Sequence, residues 1–286
     1  MKKLSLLLTL FAFAILFTSC RKTKPYEPKE KISKIYIDYG YNGKEIHETW
    51  NWEGDKLRSI DHYQSSEGTD PYTEIFTYNE KGNVILVENS SNSAKQEYIY
   101  DKNNRLYRIT SIMSEDIPVV FHYTFKYDDN ELSEIDVILK EYGNKSDVVK
   151  NIFTPIKHIL PELSLVSTEN FFDNATAEKA DVRVMEIDIE WVGKNISEIE
   201  IESAGNKEHY YFAYDEMENP FRNFLGLGFD ELCNFANKNN VVKTRLHSTN
   251  IFGDNNTETY DYHYTYDGKL PVSKNQDNIT FYYEYK

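Results

Sequence analysis

One pattern recurs along nearly the whole of this 286-residue chain. A short run of alternating aromatic and polar residues ends in an aromatic. A turn of Asp, Asn and Gly follows, and then a second run led by an aliphatic residue. Val119 to Ile135 writes it out in full, with Phe121, Tyr123, Phe125 and Tyr127 before Asp128-Asp129-Asn130 and Leu132 after. Trp50-Asn51-Trp52 leads through Glu53-Gly54-Asp55 to Leu57 and Ile60. Tyr78 leads to Val84, Tyr100 to Leu106 and Ile109, Trp191 to Ile196 and Ile199, and Tyr266 to Leu270 and Val272. Tyr214 opens another copy, but Asp215 leads into something different.

This pattern restricts the fold severely. Successive side chains on a strand point to opposite faces. Trp50, Phe76, Tyr98, Ile189, Phe212 and Tyr264 therefore share a face with the aromatic that closes their unit. Asn51, Thr77, Lys126, Glu190 and Thr265 take the other face. One apolar face and one polar face define antiparallel sheet covered on one side. Asp, Asn and Gly tolerate the positive φ that tight hairpins need. Most units are spaced as a repeat architecture requires. The fold class is thus all-β: an antiparallel meander of repeated hairpins, curled into a barrel-like or open-barrel sheet. Two stretches break the pattern, 140–183 and 215–241. The first contains Pro155 and Pro161, which do not fit central strands. In the second, Asp230 is placed to cap a short helix carrying Leu232, Phe235 and Ala236.

Residues 1–19 stand outside the fold. Lys2 and Lys3 precede an apolar run from Leu4 to Phe17, the layout of a secretory signal peptide. Cys20 follows Thr18-Ser19 and resembles the lipid-attachment cysteine of a bacterial lipobox, although Phe17 stands where that motif usually has Leu. An ordinary secretory signal with a lone Cys fits the same layout. Residues 20–31 are polar, contain two prolines and read as a tether from a lipid anchor to a single domain at 32–286. Arg21 after the Cys implies, by likeness to lipoprotein sorting, the outer membrane, on its periplasmic or surface face. The other Cys, Cys233, reads as a buried thiol.

The formal charge of −15 disfavours nucleic-acid partners, which need a basic footprint. No phosphate loop, dinucleotide turn, zinc-protease helix, paired Cys motif or serine elbow occurs, and no cofactor is expected. His122, His209 and His263 share the polar face but come from distant units, so no metal site is expected of them. Asp128-Asp129-Asn130-Glu131 and Asp254-Asn255-Asn256 read as turns, since they lack spaced Ca²⁺ ligands. No carboxylate pair stands out for acid–base work, and no catalytic residue is expected.

The Tyr-x-Tyr-Asp-x-x-(Asn/Gly)-x-Leu units resemble, in degenerate form, the YD repeats of RHS-type proteins. Together with Cys20 and the Asn219-Pro220-Phe221 to Asn239-Asn240-Val241 stretch, the layout resembles uncharacterised Bacteroidetes cell-envelope lipoproteins with a porin-like fold. That resemblance implies a barrel-like sheet and supplies no catalytic residues. The expected function is therefore binding or scaffolding in the envelope. Its membrane partner is engaged through the lipid on Cys20, and its other partner is a glycan or an envelope protein. Trp50 and Trp52 are the first candidates for stacking on sugar rings. The alternatives are a glycan-hydrolase-like enzyme, with its site where an insertion meets the sheet, and a purely structural envelope protein.

Overall fold

The computed structural model describes residues 24–63, 70–91, 94–112, 120–141, 182–203, 205–226 and 235–286. Seventeen strands form one antiparallel sheet. They are β1 (Ile32–Asp38), β2 (Glu45–Glu53), β3 (Lys56–His62), β4 (Tyr72–Tyr78), β5 (Val84–Asn89), β6 (Lys95–Tyr100), β7 (Leu106–Ile112), β8 (Val120–Asp128) and β9 (Glu131–Glu141). The second half comprises β10 (Val182–Val192), β11 (Asn195–Ser203), β12 (Asn206–Glu218), β13 (Asn239–Thr249), β14 (Asn255–Asp261), β15 (His263–Asp267), β16 (Leu270–Gln276) and β17 (Ile279–Tyr285).

Each strand pairs with its sequence neighbours, and β17 pairs with β1 to bring the sheet round on itself. The exception is a seam. β14 pairs with β13, β15 pairs with β16, and no ladder among the described residues joins β14 to β15. Tyr262 alone separates these two strands, so one chain path passes its pairing from one side of the seam to the other. The result is a nearly closed barrel with one unsealed seam.

The aliphatic residues that open each second strand recur three apart, which is wrong for simple alternation. A β-bulge resolves this. Trp52 pairs with Leu57 while Asn51 pairs with Ser59, leaving Arg58 as the extra residue. The same shift recurs beside Tyr78, Tyr100, Tyr127, Trp191, Tyr214 and Tyr266. Each bulge lets Leu57 and Ile60, or Leu106 and Ile109, or Ile196 and Ile199 face the core together.

The bulges support a girdle of hydrogen bonds. Trp52 Nε1 donates to the Ile32 carbonyl at 2.7 Å, and the hydroxyls of Tyr78, Tyr100 and Tyr127 donate to Leu57, Val84 and Leu106, each at 2.7 Å. Trp191 Nε1 donates to Leu132 at 2.7 Å, Tyr214 to Ile196 at 2.6 Å and Tyr285 to Pro271 at 2.8 Å. Except for Ile32, every acceptor is the residue that pairs with the aromatic of the preceding unit. The repeat is thus a way to staple each hairpin to the one before it, at the end of the barrel where the short turns lie.

Inward, the barrel is filled. Trp50, Phe76, Tyr98, Phe121, Tyr123, Ile135, Ile187, Ile199 and Tyr210 form a buried core. Tyr26 joins it, with its ring beside Trp52, Trp50 and Phe224 and its hydroxyl donating to the Pro220 carbonyl. This corrects the expected tether: residues 24–31 form a strap packed on the turn end, because Tyr26 buries an aromatic ring there. The second insertion is also shorter than expected, since β12 runs to Glu218 and β13 starts at Asn239. Asp230, Leu232 and Cys233, like Cys20, lie outside the described residues; Phe235 and Ala236 are helical.

Outward, the barrel is charged. Arg183 reaches Glu134, Asp136 and Glu186, Lys126 bridges Glu134 and Asp136, and Lys207 and His209 meet Glu198, Glu200 and Glu202. A membrane-spanning barrel presents an outward apolar band about 25 Å tall. The described outer wall is the reverse of that, apolar inside and ionic outside. No helix among the described residues is long and apolar enough to cross a membrane.

Candidate functional site

The girdle is interrupted at one place. Regular spacing would have Tyr266 donate to the Val241 carbonyl. It donates instead to the carboxylate of Asp215. Asp215 also accepts from the backbone N–H groups of Met217 and Asn240, at 3.0 and 3.2 Å, and from Asn240 Nδ2 at 3.3 Å. The interruption lies where β12 leaves β13 for the stretch 219–238. Burial, reinforced by the bond to Asp215, pushes the Tyr266 hydroxyl well above its ordinary pKa, so it stays a donor at physiological pH.

Four amides hold that stretch in place. Asn237, fully buried, accepts from the Ile196 N–H at 2.6 Å and donates to the Tyr214 hydroxyl at 2.9 Å. Asn219 donates to the Asn237 carbonyl at 3.1 Å. Asn195 accepts from the N–H groups of Lys238 and Asn239, and Asn239 donates to the Met217 carbonyl. The run Asn219 to Leu225 therefore leaves the sheet as a fixed plug that puts Phe221 and Phe224 against Trp50.

Beside this plug lies a cleft of about 680 Å³. The strap contributes Glu27, Lys29 and Glu30, the end of β12 Glu218, the plug Arg222, the end of β15 Asp267 and the turn after it Lys269. Leu270, Val272 and Tyr285 supply an apolar floor. The Tyr285 hydroxyl is engaged by Pro271, so its ring is what the cleft is offered. Acids and bases share the rim, and the floor holds one aromatic ring, that of Tyr285. Such a surface suits a polar, uncharged ligand that presents hydroxyls to both signs of charge and one flat apolar face to a ring.

The expected site residues lie elsewhere. Trp50 is 3 % exposed and covered by Phe224, Phe221 and Tyr26; its Nε1 donates to Glu48 at 2.8 Å. Trp52 is partly buried and tied to Ile32. Trp50 offers no bare ring face to a sugar, because it belongs to the seal between plug and barrel, while Trp52 lies beside Tyr26 and under Lys31. A cleft lies where the second insertion meets the sheet. Its specific residues were not picked out because strap, plug and hairpin are far apart in sequence.

The outer-face histidines do not converge. His122 pairs with Thr110 and Ile138, His209 with Glu200 and His247, and His263 with Asn275. Glu134, Glu186 and Asp188 do approach one another, but Arg183 reaches into them, 3.0 Å from Glu134 and 2.8 Å from Glu186. Their charge is met by a guanidinium.

A different histidine lies half-buried on the inner face. His62 Nε2 lies 3.1 Å from Glu74 and Nδ1 3.6 Å from Glu48, with the Tyr72 ring stacked on it at 4.3 Å. Burial alone would lower the His62 pKa, but the hydrogen bond to Glu74 and the charges of Glu48, Glu74 and Asp61 outweigh it and raise it. Neighbouring His47 is pushed down by burial.

The sheet topology and closure define a porin-like barrel fold. The chain is similar to the crystal structure of a porin-like protein from Bacteroides uniformis ATCC 8492, with a TM-score of 0.53 at 12% identity over 93% of this chain and 99% of that one. A porin-like protein from Bacteroides vulgatus ATCC 8482 also matches, with a TM-score of 0.33 at 8% identity over 89% of this chain and 98% of that one. No family model matches the sequence, and neither does any curated protein.

Proposed function

We propose that this is a non-catalytic binding protein of the bacterial cell envelope, held by lipid on Cys20, whose seam cleft takes a glycan. The observation that carries this reading is the cleft itself. It opens where the repeat girdle is interrupted, and its rim mixes the carboxylates of Glu27, Glu30, Glu218 and Asp267 with Lys29, Arg222 and Lys269 beside the Tyr285 ring. A charged ligand of either sign would meet like charges on that rim, whereas a neutral sugar hydrogen-bonds to both. The porin-like neighbour from Bacteroides uniformis supports a barrel fold and carries no activity to this chain. The ionic outer wall favours anchoring over insertion.

A glycan array tests the reading. Binding by the wild type that is lost in Arg222→Ala and Asp267→Ala, with denaturation midpoints unchanged, supports it. Binding untouched by both changes would move the site elsewhere. Release of shorter sugars from a bound glycan would favour the hydrolase alternative.

A further inference from the structure

We infer that the turn end of the barrel is a docking plate for an anionic lipid surface, so that the seam cleft faces the bilayer and the long-loop end faces away. This rests on the proposed lipidation of Cys20 and adds an orientation and a second contact to it.

Two independent observations carry the inference. The first is reach. Five residues, six Cα-to-Cα steps, separate Cys20 from Tyr26, which is buried in the core at the turn end. A fully extended chain of that length spans about 20 Å. The other terminus is at this end too, since Lys31 and Lys286 bond each other's backbones at 3.4 and 2.9 Å. A lipid on Cys20 cannot reach a bilayer lying at the opposite end of the barrel without pulling Tyr26 out.

The second is charge. All the repeat turns lie at this end, because in an up-and-down meander alternate connections share an end. Exposed Lys56, Lys81, Lys102, Lys194 and Lys269 recur in them, beside exposed Glu53, Asp55, Glu80, Asp128, Asp129 and Asp267, and Lys238 adds a further cation in the stretch next to them. Acids share several turns, so the plate as a whole is close to balanced, in a chain whose formal charge is −15. Among the described residues, the acidic excess therefore lies on the wall and at the far end. Near phosphate headgroups the field turns the balanced, lysine-studded end inward and repels the rest. Val192, 72 % exposed in one of these turns, adds an apolar contact on the same plate.

The test uses the full lipidated chain with Cys233→Ser, in vesicles of phosphatidylcholine with or without phosphatidylglycerol and with a quencher on the headgroups. A fluorophore is attached at Asn103→Cys in a repeat turn, or at Phe252→Cys at the tip of the β13–β14 turn. The expected result with phosphatidylglycerol is quenching at 103 several-fold stronger than at 252. Reversing three charges with K56E, K81E and K194E should shrink that ratio toward one while the protein still floats with the vesicles. Equal quenching at both labels, stronger quenching at 252, or a ratio indifferent to the reversals overturns the inference. A chain that does not float through its lipid contradicts the anchor instead. Its low-salt binding to phosphatidylglycerol vesicles through the 103 face then still supports the plate, and failure to bind overturns it.

Discussion

Tyr266 gives its hydroxyl to the carboxylate of Asp215, a side-chain acceptor where every other girdle aromatic uses a backbone carbonyl. A carboxylate reaches further than a carbonyl and can bind several donors at once. Here it lets β12 part from β13 without abandoning Tyr266, and the plug and cleft are built in the opening. Asp215→Ala strands the N–H groups of Met217 and Asn240 together with the Tyr266 hydroxyl. Leaving such donors unpaired costs about 1–3 kcal/mol. Urea denaturation should show that loss, and glycan affinity should fall because Glu218 and Lys269 lose their fixed separation.

The regular girdle makes a second prediction. Tyr100→Phe keeps the ring and removes the donor, leaving the Val84 carbonyl without the hydroxyl it accepts. The expected loss is again about 1–3 kcal/mol. Tyr107→Phe, at an exposed bulge position, should change stability by less than about 0.5 kcal/mol. Equal effects from the two changes would contradict a structural role for the girdle.

Trp50→Ala should act through the fold. Its ring fills the space between Phe221, Phe224 and Tyr26. Emptying that space costs about 3–5 kcal/mol. Any loss of ligand binding should track the fraction unfolded; a stable Trp50→Ala protein that fails to bind would return Trp50 to the list of contact residues.

The strands and their faces were legible because alternation and turn chemistry are local. The leads from Tyr78 to Val84 and from Tyr100 to Leu106 are the β4–β5 and β6–β7 hairpins. The bulge was also legible in principle: Leu57 and Ile60 cannot share a face in a regular strand, and that spacing recurs. Alternation alone does not convert it into a girdle, because Tyr78 and Leu57 meet only across two neighbouring hairpins. The cleft was beyond reach for a related reason. Glu27, Arg222 and Lys269 are brought together by barrel closure, and closure is set by where β14 and β15 exchange partners. Tyr26 was read as part of a tether because its neighbours are Lys, Pro and Glu. One buried ring outweighed them.

His62 provides a pH prediction. Its folded-state pKa is raised above the ordinary 6.5, so its contribution is complete below that value and is lost as pH rises through the folded pKa. His47 is lowered, so it opposes folding only as pH falls below 6.5. From pH 6.5 upward His62 alone of this pair changes, and stability should decline over that range. His62→Gln should flatten the decline, and a proton NMR titration should place the His62 midpoint above 6.5. A midpoint below that value would contradict the bridge to Glu48 and Glu74.

We propose that this barrel, apolar inside and ionic outside, depends on the lipid on Cys20 for its membrane attachment and does not span the bilayer. Fractionating cells that make Cys20→Ala tests it most directly. The account predicts that the variant leaves the membrane pellet and stays folded in the soluble fraction without detergent, while the wild type pellets. A Cys20→Ala protein that remains in the membrane after an alkaline wash and comes out only in detergent would contradict it.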